Sequence, residues 1–427
     1  MLLDELGVSE LFEITADIGG RPGVDCRGFC KYCYFRRVKE NPTPGCRYCS
    51  QGSAGCDKCR YEIVEKHDGH TNPAILQHHA ISKITQARLA NPDHSYAINI
   101  SGGGDAGCYP GLLELVRSLK GIAPIHLGYV SGKGLTPQAA RELVEAGVRI
   151  VTFTVFSTDP LLRQEWLNDC APADSLEALF TLAGLCETYA AAVIIPGVNV
   201  EDIFKTARVL ESWGVKGLTL MRFGNNEENG IILGNNPIMG GITPQSVEEF
   251  RELVLAVDNA VPGMRVVGTP VCDPFTGAPF ALASVSKDEF PDFPSIRSEA
   301  TILSGKIAAP LIKRILQRID GSRHVNVIGL GKEIGDLITH RDLERLPLDN
   351  VKETVVVPGN ALIHDHVARE LLSRDDVKRY LIRGPGRLTA DCETSIRMSR
   401  EDVVRIEIEG FTELIQIINA LGLPPHE

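Results

Sequence analysis

The hydrophobic pattern along the chain predicts a regular alternation of strands and helices up to about residue 270. Residues 11–19 alternate apolar and polar side chains, which is the period of a strand with one buried face. From about residue 95, short apolar runs alternate with amphipathic segments, several of which end at glycines. Six such β/α units in succession predict a parallel sheet with helices outside it. Right-handed crossovers are expected to curl the sheet into a complete or partial (β/α)6 barrel.

The pattern changes after about residue 275. KIAAPLIKRILQRI has a helical period, but the apolar runs that follow are short, namely HVNVIGLG, KETVVVPG and VVRIEIEG. We interpret these runs as strands joined by tight Gly/Pro turns. The sequence therefore predicts a β/α domain over residues 11–272 and a separate C-terminal α+β domain over residues 275–427.

Residues 20–60 form an inserted loop without a helical or strand period. They hold seven of the twelve cysteines, and the other five are scattered. Closely spaced cysteines in a reducing compartment indicate metal ligands rather than disulfides. We therefore expect metal ions, in place of a hydrophobic core, to hold this loop.

Charge and hydropathy exclude two classes of partner. The net charge of -11 argues against general binding to a nucleic-acid backbone, which requires clustered Lys and Arg. No apolar run approaches the roughly 20 residues that a membrane helix needs. The start, MLLDELGVSE, lacks the basic flank of a secretion signal, so a cytoplasmic protein is expected.

The first cysteine group is Cys26, Cys30 and Cys33, in the spacing C-x3-C-x2-C with the aromatic Tyr32 before the third cysteine. Three thiolates hold three irons of a 4Fe-4S cubane and leave the fourth iron open. The motif resembles the radical S-adenosylmethionine (SAM) signature. That resemblance implies that the open iron binds SAM and that the cluster cleaves it to a 5'-deoxyadenosyl radical. A zinc site completed by a distant ligand is the alternative.

The second group is a four-cysteine loop with the spacing C-x2-C-x6-C-x2-C. Two pairs of thiolates suit a tetrahedral ion, either zinc or a single iron, and a second Fe-S cluster is the alternative. The loop begins 13 residues after Cys33, so the two metal sites are expected to be neighbours. Its ligands are Cys46, Cys49, Cys56 and Cys59.

The resemblance assigns Tyr32 of the first motif to SAM binding. Three further segments follow predicted strands and resemble the SAM contacts of radical SAM enzymes. SGGGD resembles the GGE turn that binds the amino end of SAM, although an aspartate stands for the usual glutamate. Ser157 corresponds to a ribose contact, and Pro196 in IIPG corresponds to the segment beside adenine. Each alone also fits an ordinary turn. The residues of the first turn are Gly102, Gly103, Gly104 and Asp105.

The run ADIGGRPGVDCRGFCKYCYF, the four-cysteine loop, SGGGD and GLGKEIGDLITHRDL together resemble the methanogenesis marker 10 family. Its members are cobalamin-dependent radical SAM methyltransferases. They methylate the C5 carbon of an arginine in the alpha subunit of methyl-coenzyme M reductase. The resemblance implies iron in the four-cysteine loop, a cobalamin-binding C-terminal domain, an electron donor and a protein substrate that enters as an extended peptide.

The resemblance also implies a tyrosine that reaches the open iron before SAM arrives. Tyr129 is our first choice for this catalytic role and Tyr109 our second. The common cobalamin fingerprint D-x-H-x-x-G is absent, so an apolar residue is expected at the lower face of cobalt, and we assign Leu337 to it. The acidic residues considered for binding the target guanidinium are Glu165, Asp169, Glu227 and Glu228.

Two other classes of function stay open on the sequence. One is a radical SAM enzyme without cobalamin that cross-links or epimerises a peptide, with the four-cysteine loop as an auxiliary cluster. The other is a non-catalytic Fe-S or zinc scaffold. Because the arginine C5 carbon is not acidic, the methyltransferase hypothesis requires hydrogen abstraction by the adenosyl radical and methyl transfer from methylcobalamin.

Overall fold

The computed structural model describes most of the chain, in two compact units. Unit 1 holds the described residues up to Phe223 together with Ile238–Gly268, and unit 2 holds the rest. No helix in these parts of the chain is long and apolar enough to cross a membrane. The described residues are 11–21, 23–33, 69–92, 94–102, 104–226, 228–229, 237–270, 272–386, 388 and 393–425.

Unit 1 is built on one sheet of seven strands that follow one another in chain order. The pairs from the first strand to the sixth are all parallel. The first and seventh strands are the edges of the sheet as far as the structure describes it, so the sheet does not close into a complete barrel. The strands are β1 (Leu11–Asp17), β2 (Ser95–Ser101), β3 (Ile125–Val130), β4 (Val148–Thr154), β5 (Glu187–Ile194), β6 (Gly217–Arg222) and β7 (Arg265–Thr269).

Helices connect these strands, and several begin and end where the sequence predicts. The Thr136 side chain accepts from the Ala139 amide at the start of the third helix, and Gly147 follows that helix with a φ of 136°. Ser246 and Glu249 form a capping box at the seventh. The helices are α1 (Pro73–Ala90), α2 (Leu112–Leu119), α3 (Pro137–Ala146), α4 (Pro160–Leu167), α5 (Pro172–Leu185), α6 (Asp202–Ser212) and α7 (Val247–Ala260).

Three elements of unit 1 were not predicted, namely α1, α4 and β7. The buried residues of α1 are Leu76, Ala80 and Ile84, each four positions after the last, so the apolar stripe of this helix is narrow. Helix α5 ends at Leu185, because Cys186 adopts an extended conformation and the chain then enters β5.

The segment with both cysteine groups leaves the sheet and returns to it at one place. The Thr71 amide donates to the Ile18 carbonyl at 2.9 Å, and Gly19 and His70 form an antiparallel bridge. The ends of the segment are therefore fastened together directly after β1 and before α1.

Unit 2 contains a four-stranded sheet in the order β11-β10-β8-β9, and every pair in it is parallel. The chain adds β9 on one side of β8 and then crosses to the other side of β8 to add β10 and β11. The boundary between β8 and β10 is therefore the switch point of a doubly wound fold. The strands are β8 (Ala300–Ser304), β9 (Val325–Gly329), β10 (Thr354–Val357) and β11 (Tyr380–Arg383). The helices are α8 (Ala308–Leu316), α9 (His340–Glu344), α10 (Asp365–Leu372) and α11 (Arg400–Leu421).

Two expectations for this region are wrong. Helices alternate with parallel strands, so unit 2 is an α/β layer and not an α+β domain. The segment VVRIEIEG is part of α11 and not a strand. Its β-branched residues suggest a strand locally, but Ser399 and Asp402 form a capping box before it. The helical spacing of Phe411, Leu414 and Ile418, all buried, then continues the helix.

Candidate active site

The first cysteine group lies in the loop that follows β1, at the carboxyl edge of the unit 1 sheet. The Gly23 amide donates to the Cys26 sulfur at 3.4 Å, and the Cys33 amide donates to the Cys30 carbonyl at 3.1 Å. None of the three is in a disulfide, and each is half-buried. They are therefore available as ligands on the side of the sheet where ligands of β/α folds bind.

No three His, Cys, Asp or Glu side chains within the described ranges lie close enough to hold one metal ion together. The thiolates of a cubane each bind a different iron, so a cluster does not require such convergence. The four cysteines of the second loop lie outside the described residues.

Burial is the main influence on the pKa of the Cys26 and Cys30 thiols. It raises the pKa of Cys26 and of Cys30, while the ammonium group of Lys133 opposes the rise in both. Thiolates at these positions therefore need nearby positive charge, and bound iron supplies such charge.

Tyr32 anchors the cysteine loop through an aromatic stack. Its ring lies 5.4 Å from that of Phe156 with an interplanar angle of 19°, and Phe156 stacks on Trp166 at 5.8 Å. Phe156 follows β4 and has a φ of 61°, a backbone conformation that residues other than glycine rarely adopt. Tyr32 therefore joins the loop to β4 and α4.

The glycine turn after β2 approaches the cysteine loop very closely. A Cβ atom on Gly102 would lie 2.5 Å from the Gly19 carbonyl oxygen, and the Gly104 amide donates to that same oxygen at 3.3 Å. Only glycine permits this approach at position 102. Gly103 lies outside the described residues.

Asp105, at the end of this turn, is buried. Its carboxylate accepts from the Gly107 amide at 2.8 Å, from the Ser131 amide at 3.0 Å and from the Ser131 hydroxyl. Burial raises the pKa of Asp105, and the hydrogen bonds from Ser131 oppose that rise. The side chain therefore joins the turn after β2 to the turn after β3.

The turn after β3 also belongs to the site, although no sequence pattern indicates it. Lys133 is buried, and its ammonium nitrogen donates to the Gly28 carbonyl at 2.8 Å and to the Leu167 carbonyl at 3.2 Å. The Ser175 hydroxyl donates to the Gly132 carbonyl at 2.9 Å. This turn is thus tied to the cysteine loop, to the end of α4 and to α5.

Arg163 is completely buried beside the same turn. It pairs with Asp169 at 2.7 Å and donates to the carbonyls of Val155 and Ser131. Asp169, one of the four acidic residues considered for the guanidinium, is therefore committed to an internal ion pair.

Two of the other three acidic candidates also form ion pairs, and the third lies outside the described residues. Glu165 pairs with Lys31 at 2.6 Å, and Glu228 of unit 2 pairs with Lys306 at 3.1 Å. Glu227 lies outside the described residues. No local pattern indicates the two lysine partners in advance.

The remaining predicted SAM contacts lie after β4 and β5. Ser157 is buried, and its hydroxyl accepts from the Asp159 amide at 2.9 Å. Pro196 is half-buried in a turn that Asn199 holds, because the Asn199 side chain accepts from the Ile195 amide at 2.8 Å. Both segments lie on the same edge of the sheet as the cysteine loop.

The two tyrosines have different environments. The hydroxyl of Tyr109 donates to the Thr71 carbonyl at 2.7 Å, and burial raises its pKa to about 12. Tyr129 is 41 % exposed, and it lies with a φ of 51° where the register of β3 against β4 shifts. Bulges of this kind redirect side chains and are frequent beside active sites.

Unit 2 has a small cavity at the switch point of its own sheet, with a volume of about 20 Å³. Its lining is mostly apolar and includes the ends of β8 and β10. The Ser304 hydroxyl is buried there without a hydrogen-bond partner among the described residues. Leu337 is half-buried in a short 3-10 turn that begins at Gly335, and a Cβ on Gly335 would lie 3.4 Å from that hydroxyl.

Sequence comparison agrees with this geometry. Residues 21–210 match the family model described as the Radical SAM superfamily. This match covers the cysteine loop and the strands β2 to β5, so the chain carries a radical SAM domain with a parallel α/β sheet. A comparison with curated proteins finds no match.

Several solved structures are distantly similar. SuiB from Streptococcus suis, bound to the precursor peptide SuiA, is 12% identical, with 62% of this chain and 51% of that chain covered and a TM-score of 0.40. TsrM from Kitasatospora setae, a radical SAM methyltransferase with cobalamin and a [4Fe-4S] cluster bound, is 14% identical, with 50% and 36% covered and a TM-score of 0.32. HemN from Escherichia coli, a radical SAM coproporphyrinogen III oxidase, is 13% identical, with 59% and 52% covered and a TM-score of 0.33. The chain spans about half the length of SuiB, and similarity this low does not bear on substrate or reaction.

Proposed function

We propose that this protein is a cobalamin-dependent radical SAM methyltransferase that methylates the C5 carbon of an arginine in the alpha subunit of methyl-coenzyme M reductase. The observation that carries the proposal is the radical SAM match over residues 21–210, which includes Cys26, Cys30 and Cys33. The resemblance of the cysteine segment and of GLGKEIGDLITHRDL to the methanogenesis marker 10 family supports the choice of methyl donor and target.

The residues of unit 1 suit a 4Fe-4S cluster and SAM. Three thiols outside any disulfide offer the ligands, and the glycine at position 102 lets the turn after β2 lie directly against the start of the cysteine loop. We assign the SAM contacts to the turn Gly102–Asp105, to Ser157 and to Pro196, and the tyrosine that reaches the open iron to Tyr129.

The cavity of unit 2 would contact only a small part of cobalamin. It lies where doubly wound folds bind ligands, and the unpartnered Ser304 hydroxyl offers one hydrogen bond there. Its volume of about 20 Å³ admits no more than a water-sized group, so nearly all of the corrin ring would lie outside it. We assign Leu337, close to Gly335, to the lower face of cobalt.

In this mechanism the bound cofactors would pass on the electron and provide the adenosyl radical and the methyl group. The protein supplies orientation and exclusion of water. Cys26, Cys30 and Cys33 fix the cluster, Tyr32 fixes the loop on β4, and Asp105 fixes the glycine turn against the turn after β3. The four-cysteine loop is assigned iron, and an external donor supplies the electron.

The test is mass spectrometry of methyl-coenzyme M reductase after anaerobic incubation with the protein, SAM, cobalamin and a reductant. We expect a gain of about 14 Da on one arginine of the alpha subunit, and release of 5'-deoxyadenosine. Replacement of Cys26, Cys30 and Cys33 by alanine should abolish both products. Cys186→Ala is the matched control, because Cys186 precedes β5 at the amino ends of the strands, and among the described residues its sulfur is hydrogen-bonded to the Leu182 carbonyl and the Thr188 hydroxyl.

The outcomes separate the competing functions. Formation of 5'-deoxyadenosine without bound corrin absorption, and without a methylated arginine, would favour a radical enzyme that cross-links or epimerises a peptide. Failure of the wild-type protein to form 5'-deoxyadenosine would favour a scaffold. Cleavage of SAM by the triple cysteine variant would refute the assignment of the cluster.

A further inference from the structure

A lysine with a buried charge lies beside the cysteine loop. Lys133 is 2% exposed, and its ammonium nitrogen contacts two backbone carbonyls, those of Gly28 and Leu167. No carboxylate of the described residues lies within ion-pair distance of it, and the nearby buried carboxylate of Asp105 is already hydrogen-bonded to Ser131 and to the Gly107 amide. A buried ammonium group without such a partner is unfavourable unless negative charge lies nearby.

The position of this charge points to the cysteines. Gly28 lies between Cys26 and Cys30, so the first carbonyl belongs to the cysteine loop itself. The Leu167 carbonyl also contacts the Cys30 sulfur at 3.8 Å. Because the Lys133 nitrogen lies 3.2 Å from that carbonyl oxygen, nitrogen and sulfur are no farther apart than these two distances together.

The position is also rigid. The turn that carries Lys133 is fixed by Asp105, which accepts from the Ser131 amide, and by Ser175, which donates to the Gly132 carbonyl. The Cys108 sulfur contacts the Lys133 carbonyl at 3.3 Å. A charge held in this way retains its distance from the cluster when the charge of the cluster changes.

We propose that Lys133 is a positioning residue whose buried positive charge makes the 4Fe-4S cluster easier to reduce. The proposal rests on the cluster assigned to Cys26, Cys30 and Cys33, but not on cobalamin, arginine or methyl transfer. Reduction moves one electron from an external low-potential donor to the cluster, and no bond is formed. The added negative charge is stabilised by a nearby cation that solvent does not screen.

The test is an anaerobic redox titration of the reconstituted, SAM-free protein, followed by the electron paramagnetic resonance signal of the reduced cluster. Lys133→Gln keeps two N–H donors but removes the charge, and Lys133→Arg keeps the charge. We expect the ratio of reduced to oxidised cluster at a given potential to be at least roughly tenfold lower in the glutamine variant. This corresponds to a midpoint potential about 59 mV more negative for a one-electron couple. The arginine variant should stay close to the wild type.

Lys31→Gln is the matched control, because Lys31 lies between Cys30 and Tyr32 but is exposed and paired with Glu165. Its effect should be much smaller. An unchanged midpoint in Lys133→Gln, or an equal shift in Lys31→Gln, would overturn the proposal. If Lys133→Gln binds no cluster, iron content decides: recovery in Lys133→Arg supports a role for the charge, and absence from both variants contradicts it. A wild-type protein that binds no cluster would instead refute the proposed function.

Discussion

Removal of the Arg163 guanidinium should be among the most damaging single changes in unit 1. Both members of its ion pair with Asp169 are at most 1% exposed, and the guanidinium also donates to the Val155 carbonyl at 2.9 Å. Arg163→Met retains most of the volume but leaves a carboxylate buried without its partner. Loss of one member of a buried ion pair costs about 3–5 kcal/mol.

The magnitude is measured by urea unfolding followed by tryptophan fluorescence. Both tryptophans, Trp166 and Trp213, belong to unit 1, so the signal reports on that unit. The double variant Arg163→Met/Asp169→Asn should lose less free energy of unfolding than the sum of the single variants, because the unpaired charge is gone. Arg149→Met is the control: this arginine donates only to two backbone carbonyls and should cost about 1 kcal/mol or less.

A loss of less than about 1 kcal/mol in Arg163→Met would refute the reasoning. So would strict additivity in the double variant, since it would mean that Asp169 does not depend on Arg163.

Three further predictions concern other parts of the chain. Gly102→Ala should abolish both SAM cleavage and SAM binding, the latter measured by equilibrium dialysis, since the Cβ of the alanine would lie 2.5 Å from a backbone oxygen. Tyr129→Phe should change the spectrum of the SAM-free cluster, whereas Tyr109→Phe should leave the spectrum unchanged and cost about 1 kcal/mol in urea unfolding for its lost hydrogen bond. Burial raises the pKa of Glu407 to about 7 from its ordinary 4.5, so the unfolded chain releases this proton first as pH rises. The free energy of unfolding of unit 2 should therefore fall by up to about 3 kcal/mol between about pH 4.5 and 7, and Glu407→Gln should remove that dependence in thermal unfolding scans.

Local signals in the sequence predict the elements whose boundaries are local. Strand β1 was recognisable from its alternation of apolar and polar residues, β2 to β6 from short apolar runs, and α3 because Thr136 and Gly147 delimit it. The segment VVRIEIEG was misread because β-branched residues favour strands locally, while the apolar residues farther along α11 decide its structure.

The site was predictable only where its residues are close in sequence. The spacing of Cys26, Cys30 and Cys33 is visible in eight consecutive positions. The burial of Lys133 and Arg163 is not, because it depends on carbonyls and carboxylates from segments that only the fold brings together. A charged residue in a polar turn or helix normally indicates solvent exposure, so no local pattern singles these two out.

The hydrogen bond between Ile18 and Thr71 brings the two ends of the cysteine segment together directly after β1. The length of the chain between these ends therefore need not alter the register of β1 against β2. Segments with such joined ends can be lengthened or shortened during evolution at little cost to their host. The first cysteine group does not share this freedom, because Tyr32 stacks on Phe156 and the Gly28 carbonyl accepts from Lys133, so it has to evolve together with the strand ends that hold it.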